Sequence, residues 1–107
     1  MFSVTSMADV QRLVDRIARL FHPEKIVLFG SYARGDAGAD SDVDLLVVMP
    51  HEGHPARKAA EITERVHPGT FSVDLIVRDP ETLRKRAQMN DWFVREVLRE
   101  GRVMYAA

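Results

Sequence analysis

Apolar residues recur every three or four positions near the start of the chain, with polar residues between them. This spacing places the apolar side chains on one face of an α-helix. Ser6 and Asp9 stand where a capping box starts such a helix, and Pro23 disfavours helix at the residue before it. The pattern predicts an amphipathic helix over about residues 7–21, packed on a sheet. Its apolar positions are Met7, Val10, Leu13, Val14, Ile17, Leu20 and Phe21.

Short apolar runs bounded by glycine, proline or polar residues predict strands farther along the chain. Helical periodicity and helix-end signals predict three more helices between and after these strands. A short helical turn and a loop are expected between the first two strands. The predicted strands lie at about 25–29, 43–48, 71–77 and 102–106, the last at a sheet edge, and the predicted helices at 55–66, 80–88 and 91–100.

The length of 107 residues predicts a single domain over residues 1–107. Strands and helices in one small chain predict an α+β fold. We expect a small, twisted, mixed β-sheet with helices packed on one face and acidic side chains on the other.

Acidic residues lie at the start of one predicted strand and inside another. Alternate residues of a strand share a face, so Asp42 and Asp44 project to the same side, and Asp74 has the same apolar–acid–apolar setting. Two like charges about 4 Å apart repel by roughly 4 kcal/mol at an effective dielectric near 20. Such a pair therefore needs a proton, a cationic side chain or a metal ion, and carboxylate oxygens suit Mg²⁺. The alternative for Asp74 is a surface acid on an edge strand.

A glycine and a serine end the first predicted strand. Glycine allows a backbone to approach a phosphate closely, and exposed N–H groups with a hydroxyl can hold its oxygens. Gly30 and Ser31 therefore predict a phosphate site near the carboxylates. The alternative is a glycine-rich hairpin that carries surface acids.

Residues 30–35, Gly-Ser-Tyr-Ala-Arg-Gly, are followed after five residues by residues 41–45, Ser-Asp-Val-Asp-Leu. This arrangement of Gly-Ser, ten residues and Asp-x-Asp resembles the signature of the DNA polymerase β-like nucleotidyltransferase superfamily. Within it, the chain is most similar to the minimal nucleotidyltransferases, many of which are antitoxins paired with a HEPN-domain toxin. The resemblance covers roughly residues 8–106.

The resemblance implies a polymerase β-like nucleotidyltransferase fold and a site with two Mg²⁺ ions. It implies that Asp74 acts as, or assists, the general base. Arg34 either takes part in the site or makes an outward structural ion pair. The implied catalytic and metal-binding residues are Asp42, Asp44 and Asp74, and the implied nucleotide-binding residues are Gly30, Ser31, Arg34 and Ser41.

The activity implied by the resemblance is transfer of a nucleoside monophosphate, AMP from ATP, to an acceptor hydroxyl. The implied acceptor is a protein side chain of a HEPN toxin, with the chain acting as antitoxin. Two alternatives stay open: an antitoxin that neutralises its toxin by binding alone, and a nucleotidyltransferase for small molecules.

Charge and composition limit the classes of binding partner and the compartment that can be expected. With 15 basic and 16 acidic residues the net charge is −1, so the chain as a whole has no electrostatic attraction to DNA or anionic membranes. The chain has no cysteine, which fits a reducing compartment, and shows no signal peptide or membrane-spanning run. These features predict a cytoplasmic protein. His51 and His54 lie in a loop without nearby cysteines and are expected to be loop histidines rather than zinc ligands.

The helix predicted at 91–100 has apolar residues around more than half of its circumference, including Trp92 and Phe93. A single contact with the core needs a narrower stripe. The excess is either covered within the monomer by the last strand and the helix at 80–88, or is an interface with a toxin or a second copy of the chain.

Overall fold

The computed structural model describes residues 6–66 and 71–107 and has an α+β architecture. The elements are α1 (Met7–Phe21), β1 (Lys25–Phe29), α2 (Ser31–Arg34), β2 (Val43–Val48), α3 (Pro55–Val66), β3 (Val73–Arg78), α4 (Pro80–Gln88), α5 (Trp92–Glu100) and β4 (Arg102–Ala106). Within the described residues, four strands form one sheet in the order β3-β2-β1-β4. The strands β1 and β2 are antiparallel, as are β1 and β4, whereas β2 and β3 are parallel, so the sheet is mixed as predicted.

The first helix has the bounds that its pattern predicts. The Ser6 hydroxyl accepts a hydrogen bond of 3.1 Å from the backbone N–H of Asp9, which satisfies one of the free donors at the helix start. At the other end, His22 takes a left-handed conformation with φ 50°, and its N–H donates to the carbonyl of Ala18. Pro23 then prevents a further turn.

One face of the sheet carries the larger core. The alternating residues Val43, Leu45 and Val47 of β2 point into it, where they meet buried residues of α1 and α3. Ile17 and Ile62 are among the fully buried side chains that these two helices contribute. The period-two pattern of β2 thus determines which residues enter this core.

The second face carries a smaller apolar cluster, and here the structure adds to the prediction. Val27, Leu46 and Val48 pack against Val97 of α5, with Phe93 and other half-buried residues around them. Helices therefore lie on both faces of the sheet, not on one. The reason is that β2 is apolar on both sides beyond Asp44, so its second side also needs cover.

The exposed apolar residues of α5 are not covered within the described residues. Val94 and Val97 are buried, but Trp92 is 73% exposed and Leu98 is 72% exposed. Of the two alternatives, cover by β4 and α4 within the monomer therefore does not hold for these two side chains. The strand β4 lies at a sheet edge as predicted, and β3 begins at Val73 rather than Phe71.

No helix among the described residues is both long enough and apolar enough to cross a bilayer.

Candidate active site

Two carboxylates meet where β2 and β3 lie side by side. Asp44 is the direct partner of Asp74 in the parallel register, and neighbouring strands lie about 4.8 Å apart. Asp42 precedes β2 by one residue and has the same parity as Asp44. The predicted placement of Asp44 and Asp74 on the same side of a shared sheet is confirmed. Asp42 and Asp74 are exposed, and Asp44 is half-buried.

The backbone of Gly30 lies directly against the side chain of Asp44. Gly30 joins β1 to the short helix α2 with φ 73° and ψ −154°, a conformation that is essentially restricted to glycine. A Cβ atom at this position would lie only 2.1 Å from Oδ2 of Asp44. Only glycine fits at position 30, for two reasons. Its backbone angles are unfavourable for other residues, and the Asp44 carboxylate occupies the space that a side chain would need.

The carboxylate charges where β2 meets β3 have no direct partner within the described residues. Burial raises the pKa of Asp44, and the neighbouring charges of Asp74 and Asp42 raise it further, while the Arg34 charge lowers it. None of the three carboxylates forms a hydrogen bond or ion pair with residues 6–66 or 71–107. The site thus holds negative charge that a cation would stabilise.

The donor set at this site fits a hard divalent cation. Within the described parts of the chain, no three Asp, Glu, His or Cys side chains form a complete metal cluster. Mg²⁺ does not need one, because it usually takes one or two carboxylates and fills its remaining positions with water and substrate phosphate oxygens. The register-paired Asp44 and Asp74 are such a partial set, with the glycine corner at Gly30 beside them.

The two serines of the motif have different surroundings. Ser31 is the first residue of α2, and its hydroxyl makes no hydrogen bond within the described residues. The Ser41 hydroxyl accepts a hydrogen bond of 2.9 Å from the N–H of Gly38, and the Ser41 N–H donates to the Gly38 carbonyl at 3.1 Å. Ser41 therefore closes the loop that leads into β2, and Ser31 is the better placed to meet a ligand. Nucleotide binding by both serines stays a prediction.

Arg34 makes the outward pairing that was one of its two predicted roles. Its Nε lies 3.3 Å from Oδ2 of Asp36, and its Nη1 lies 3.5 Å from Oε2 of Glu100. The arginine also acts on the site through its charge, since it lowers the pKa of Asp44. Arg34 thus links α2 to the end of α5 while it remains within electrostatic range of the carboxylates. A direct contact with nucleotide stays a prediction.

An aromatic pair beside the carboxylates was not predicted from the sequence. Phe29 is the cross-strand partner of Asp44, so both side chains lie on the same face of the sheet. Its ring meets that of Phe93 edge to face, with centroids 5.4 Å apart. The parity of Phe29 within β1 could have placed it near Asp44, but nothing in the sequence indicates that α5 brings Phe93 there.

Comparisons with known proteins agree with this geometry. Residues 10–105 match the model of the nucleotidyltransferase domain family. A predicted protein adenylyltransferase of Methanocaldococcus jannaschii is 38% identical over 82 residues, which cover 77% of this chain and 78% of that protein.

Two solved structures share the fold. A predicted nucleotidyltransferase of Sulfolobus solfataricus superposes with a TM-score of 0.63 at 22% identity, covering 94% of this chain and 79% of that one. A complex of a tri-AMPylated HEPN toxin of Shewanella oneidensis with its MNT antitoxin contains a chain that superposes with a TM-score of 0.50 at 14% identity, covering 94% of this chain and 72% of that one.

Proposed function

The chain belongs to the nucleotidyltransferase domain family, and we propose that this nucleotidyltransferase transfers AMP from ATP to a hydroxyl group of a partner protein. The observation that carries the proposal is the pairing of Asp44 with Asp74 directly beside the glycine corner. The similarity to a protein adenylyltransferase supports a protein as the acceptor.

The metal ions would be held by Asp42, Asp44 and Asp74, and when bound they neutralise the phosphates and stabilise an in-line displacement. Asp42 and Asp44 would lie at the end of the site that binds ATP, the donor of the AMP group. The Asp44 carboxylate fills the space where a side chain of residue 30 would lie, and phosphate oxygens would bind next to it at Ser31, whose hydroxyl makes no hydrogen bond within the described residues.

In this proposal Asp74 acts on the acceptor hydroxyl. It is exposed, and it lies on an edge strand where a partner can approach it. Asp74 takes the proton of the acceptor hydroxyl as that oxygen forms its bond to the α-phosphorus. The bond between the α-phosphorus and the bridging oxygen breaks, and pyrophosphate leaves.

We further propose that the partner is a HEPN-domain toxin and that the chain acts as its antitoxin. Support comes from the motif in residues 30–45 and from the fold shared with a chain of a toxin–antitoxin complex. A binding-only antitoxin is the second candidate. The carboxylate cluster favours the enzyme, because a surface that only binds has no need to hold Asp44 against Asp74 at a raised pKa.

Calorimetry with ATP and Mg²⁺ tests the nucleotide site. The wild type is expected to bind, the double variant Asp42→Asn/Asp44→Asn to lose binding at least tenfold, and Asp40→Asn, an exposed acid two residues before Asp42, to bind like the wild type. Equal binding by wild type and double variant would contradict the site. Mass spectrometry of the purified partner then decides between the candidates: an added adenylyl group indicates transfer, and a tight but unmodified complex indicates binding alone.

A further inference from the structure

The end of α5 packs closely against the strand that leads into the glycine corner. Gly101 directly follows α5, and a Cβ atom at this position would lie 2.7 Å from a side-chain carbon of Val27 and 2.3 Å from the carbonyl oxygen of Val97. Val27 belongs to β1, which ends one residue before Gly30. Because the backbone at Gly101 approaches β1 so closely, the position of the neighbouring Glu100 is fixed relative to Gly30.

Glu100 carries an acidic side chain at an electrostatically unfavourable place. It is the last residue of α5, and the C-terminal end of a helix favours cations over anions. Two arginines offset this, since Oε2 of Glu100 lies 3.5 Å from Nη1 of Arg34 and Oε1 lies 3.4 Å from Nη2 of Arg99. Arg99 has a closer partner in Glu96, at 2.6 Å. The contact with Arg34 is therefore what distinguishes Glu100 from the other acid of this helix.

The guanidinium of Arg34 is held on one side and available on the other. Its Nε lies 3.3 Å from Asp36 and its Nη1 contacts Glu100, whereas its Nη2 takes part in no hydrogen bond or ion pair within residues 6–66 and 71–107. Asp36 lies in the loop after α2 with its side chain 63% exposed, whereas the Glu100 side chain is 28% exposed and stands on a helix. Glu100 is thus the more firmly placed of the two carboxylates that contact Arg34.

Arg34 is close to both the serine and the carboxylates of the candidate site. Ser31 and Arg34 are three positions apart in α2, and residues at this spacing lie on the same face of a helix. The charge of Arg34 also reaches Asp44, whose pKa it lowers. A phosphate bound at the Ser31 hydroxyl would therefore lie within reach of the arginine side chain.

We propose that Glu100 is a positioning residue of the nucleotide site, which holds the Arg34 guanidinium so that its Nη2 donates to the triphosphate of ATP. The proposal rests on the proposed function and adds to that site a residue far from the glycine and aspartate motif. A guanidinium is planar and carries its N–H donors in a rigid fork, so contacts to two of its nitrogens determine where the third one points. Glu100 itself touches no substrate and acts only through Arg34.

The test is calorimetry of the full-length protein with Mg²⁺ and either ATP or inorganic tripolyphosphate. Glu100→Ala is expected to weaken the binding of both ligands by about threefold or more, and to stay folded in urea unfolding because alanine favours helix. Glu96→Ala is the matched control, since the Glu96 side chain lies on the same helix, is 29% exposed and pairs with Arg99 instead of Arg34, and it is expected to bind like the wild type. In an Arg34→Ala background, Glu100→Ala is expected to weaken binding no further.

The sign of the effect separates positioning from simple electrostatics. Removal of an acid near a triphosphate strengthens binding by charge alone, whereas loss of the arginine orientation weakens it. Unchanged or tighter binding by Glu100→Ala therefore overturns the positioning role, as does an equal loss in Glu96→Ala or a loss that persists in the Arg34→Ala background. In each of these cases the wild type still binds ATP, so the proposed function stands. A wild type that binds neither ligand instead overturns the proposed nucleotide site, and the role of Glu100 with it.

Discussion

Replacement of Gly30 by alanine tests how the corner after β1 holds the carboxylate of Asp44. The new Cβ would lie 2.1 Å from Oδ2 and 3.1 Å from Cγ of Asp44, so the aspartate side chain has to move. The backbone angles of Gly30, φ 73° and ψ −154°, would also be strained in any residue with a side chain. The variant therefore perturbs stability and the site together.

The expected loss of unfolding free energy in Gly30→Ala has two parts. The backbone conformation costs about 1–3 kcal/mol for a residue other than glycine, and displacing the Asp44 side chain from its rotamer costs about 0.5–1.5 kcal/mol. Gly35 supplies the matched control, because it has φ 84° but a Cβ atom there would meet no other atom within 4 Å. Gly35→Ala should therefore lose about 1–2 kcal/mol from backbone strain alone, and Gly30→Ala about 2–4 kcal/mol.

Urea unfolding measures the two free energies, and calorimetry with ATP and Mg²⁺ measures the site. We expect Gly30→Ala to lose nucleotide binding at least tenfold under conditions where it is folded, and Gly35→Ala to keep it. The reasoning is refuted if both variants lose the same stability and Gly30→Ala binds nucleotide like the wild type.

Three further predictions test other parts of the structure. The pKa of Asp44 is raised in the folded protein above the ordinary value of 3.8, so the wild type loses stability as the pH rises through 3.8 and past the folded pKa. Asp44→Asn should therefore be more stable than the wild type at neutral pH, by about 1 kcal/mol because solvent screens the charges of the exposed neighbours. Urea unfolding should show that this gain in stability shrinks toward pH 4. Val97→Ala should lose about 2 kcal/mol of unfolding free energy because it removes buried methyl groups. Thermal unfolding of Trp92→Ala should show a change below about 0.5 kcal/mol, and equal losses in the two variants would contradict the assignment of Trp92 to the surface. Asp79→Ala removes the cap of α4 and should cost about 1 kcal/mol, with faster hydrogen exchange at the start of that helix; unchanged exchange there would contradict the cap.

The sequence predicts the features that depend on local periodicity. The alternation of apolar and acidic residues in two strands predicts that Asp44 and Asp74 could face the same side of a shared sheet. The structure confirms this and shows that the two strands are adjacent, parallel and in register. The capping residue Ser6 likewise predicts where α1 begins, because the interaction spans three residues.

Features that depend on distant parts of the chain could not be predicted. Arg34 pairs with Glu100, 66 positions away, and no local pattern identifies that partner. The sequence also does not determine which side of α5 packs against the core, because the apolar residues of this helix are distributed around most of its circumference. Packing on the sheet selects Val97 for burial and leaves Trp92 in solvent.

The parallel pairing of β2 with β3 affects the order in which the site forms during folding and is lost during unfolding. Gly30 and Asp44 meet within the continuous segment from β1 to β2, whereas Asp74 joins them from a strand separated by the whole of α3. Contacts at short sequence separation form before those that close a long loop. We therefore expect the contact of Gly30 with Asp44 to form early in folding and Asp74 to join it late. The same order in reverse makes local release of the edge strand β3 a route to an inactive protein that is still largely folded.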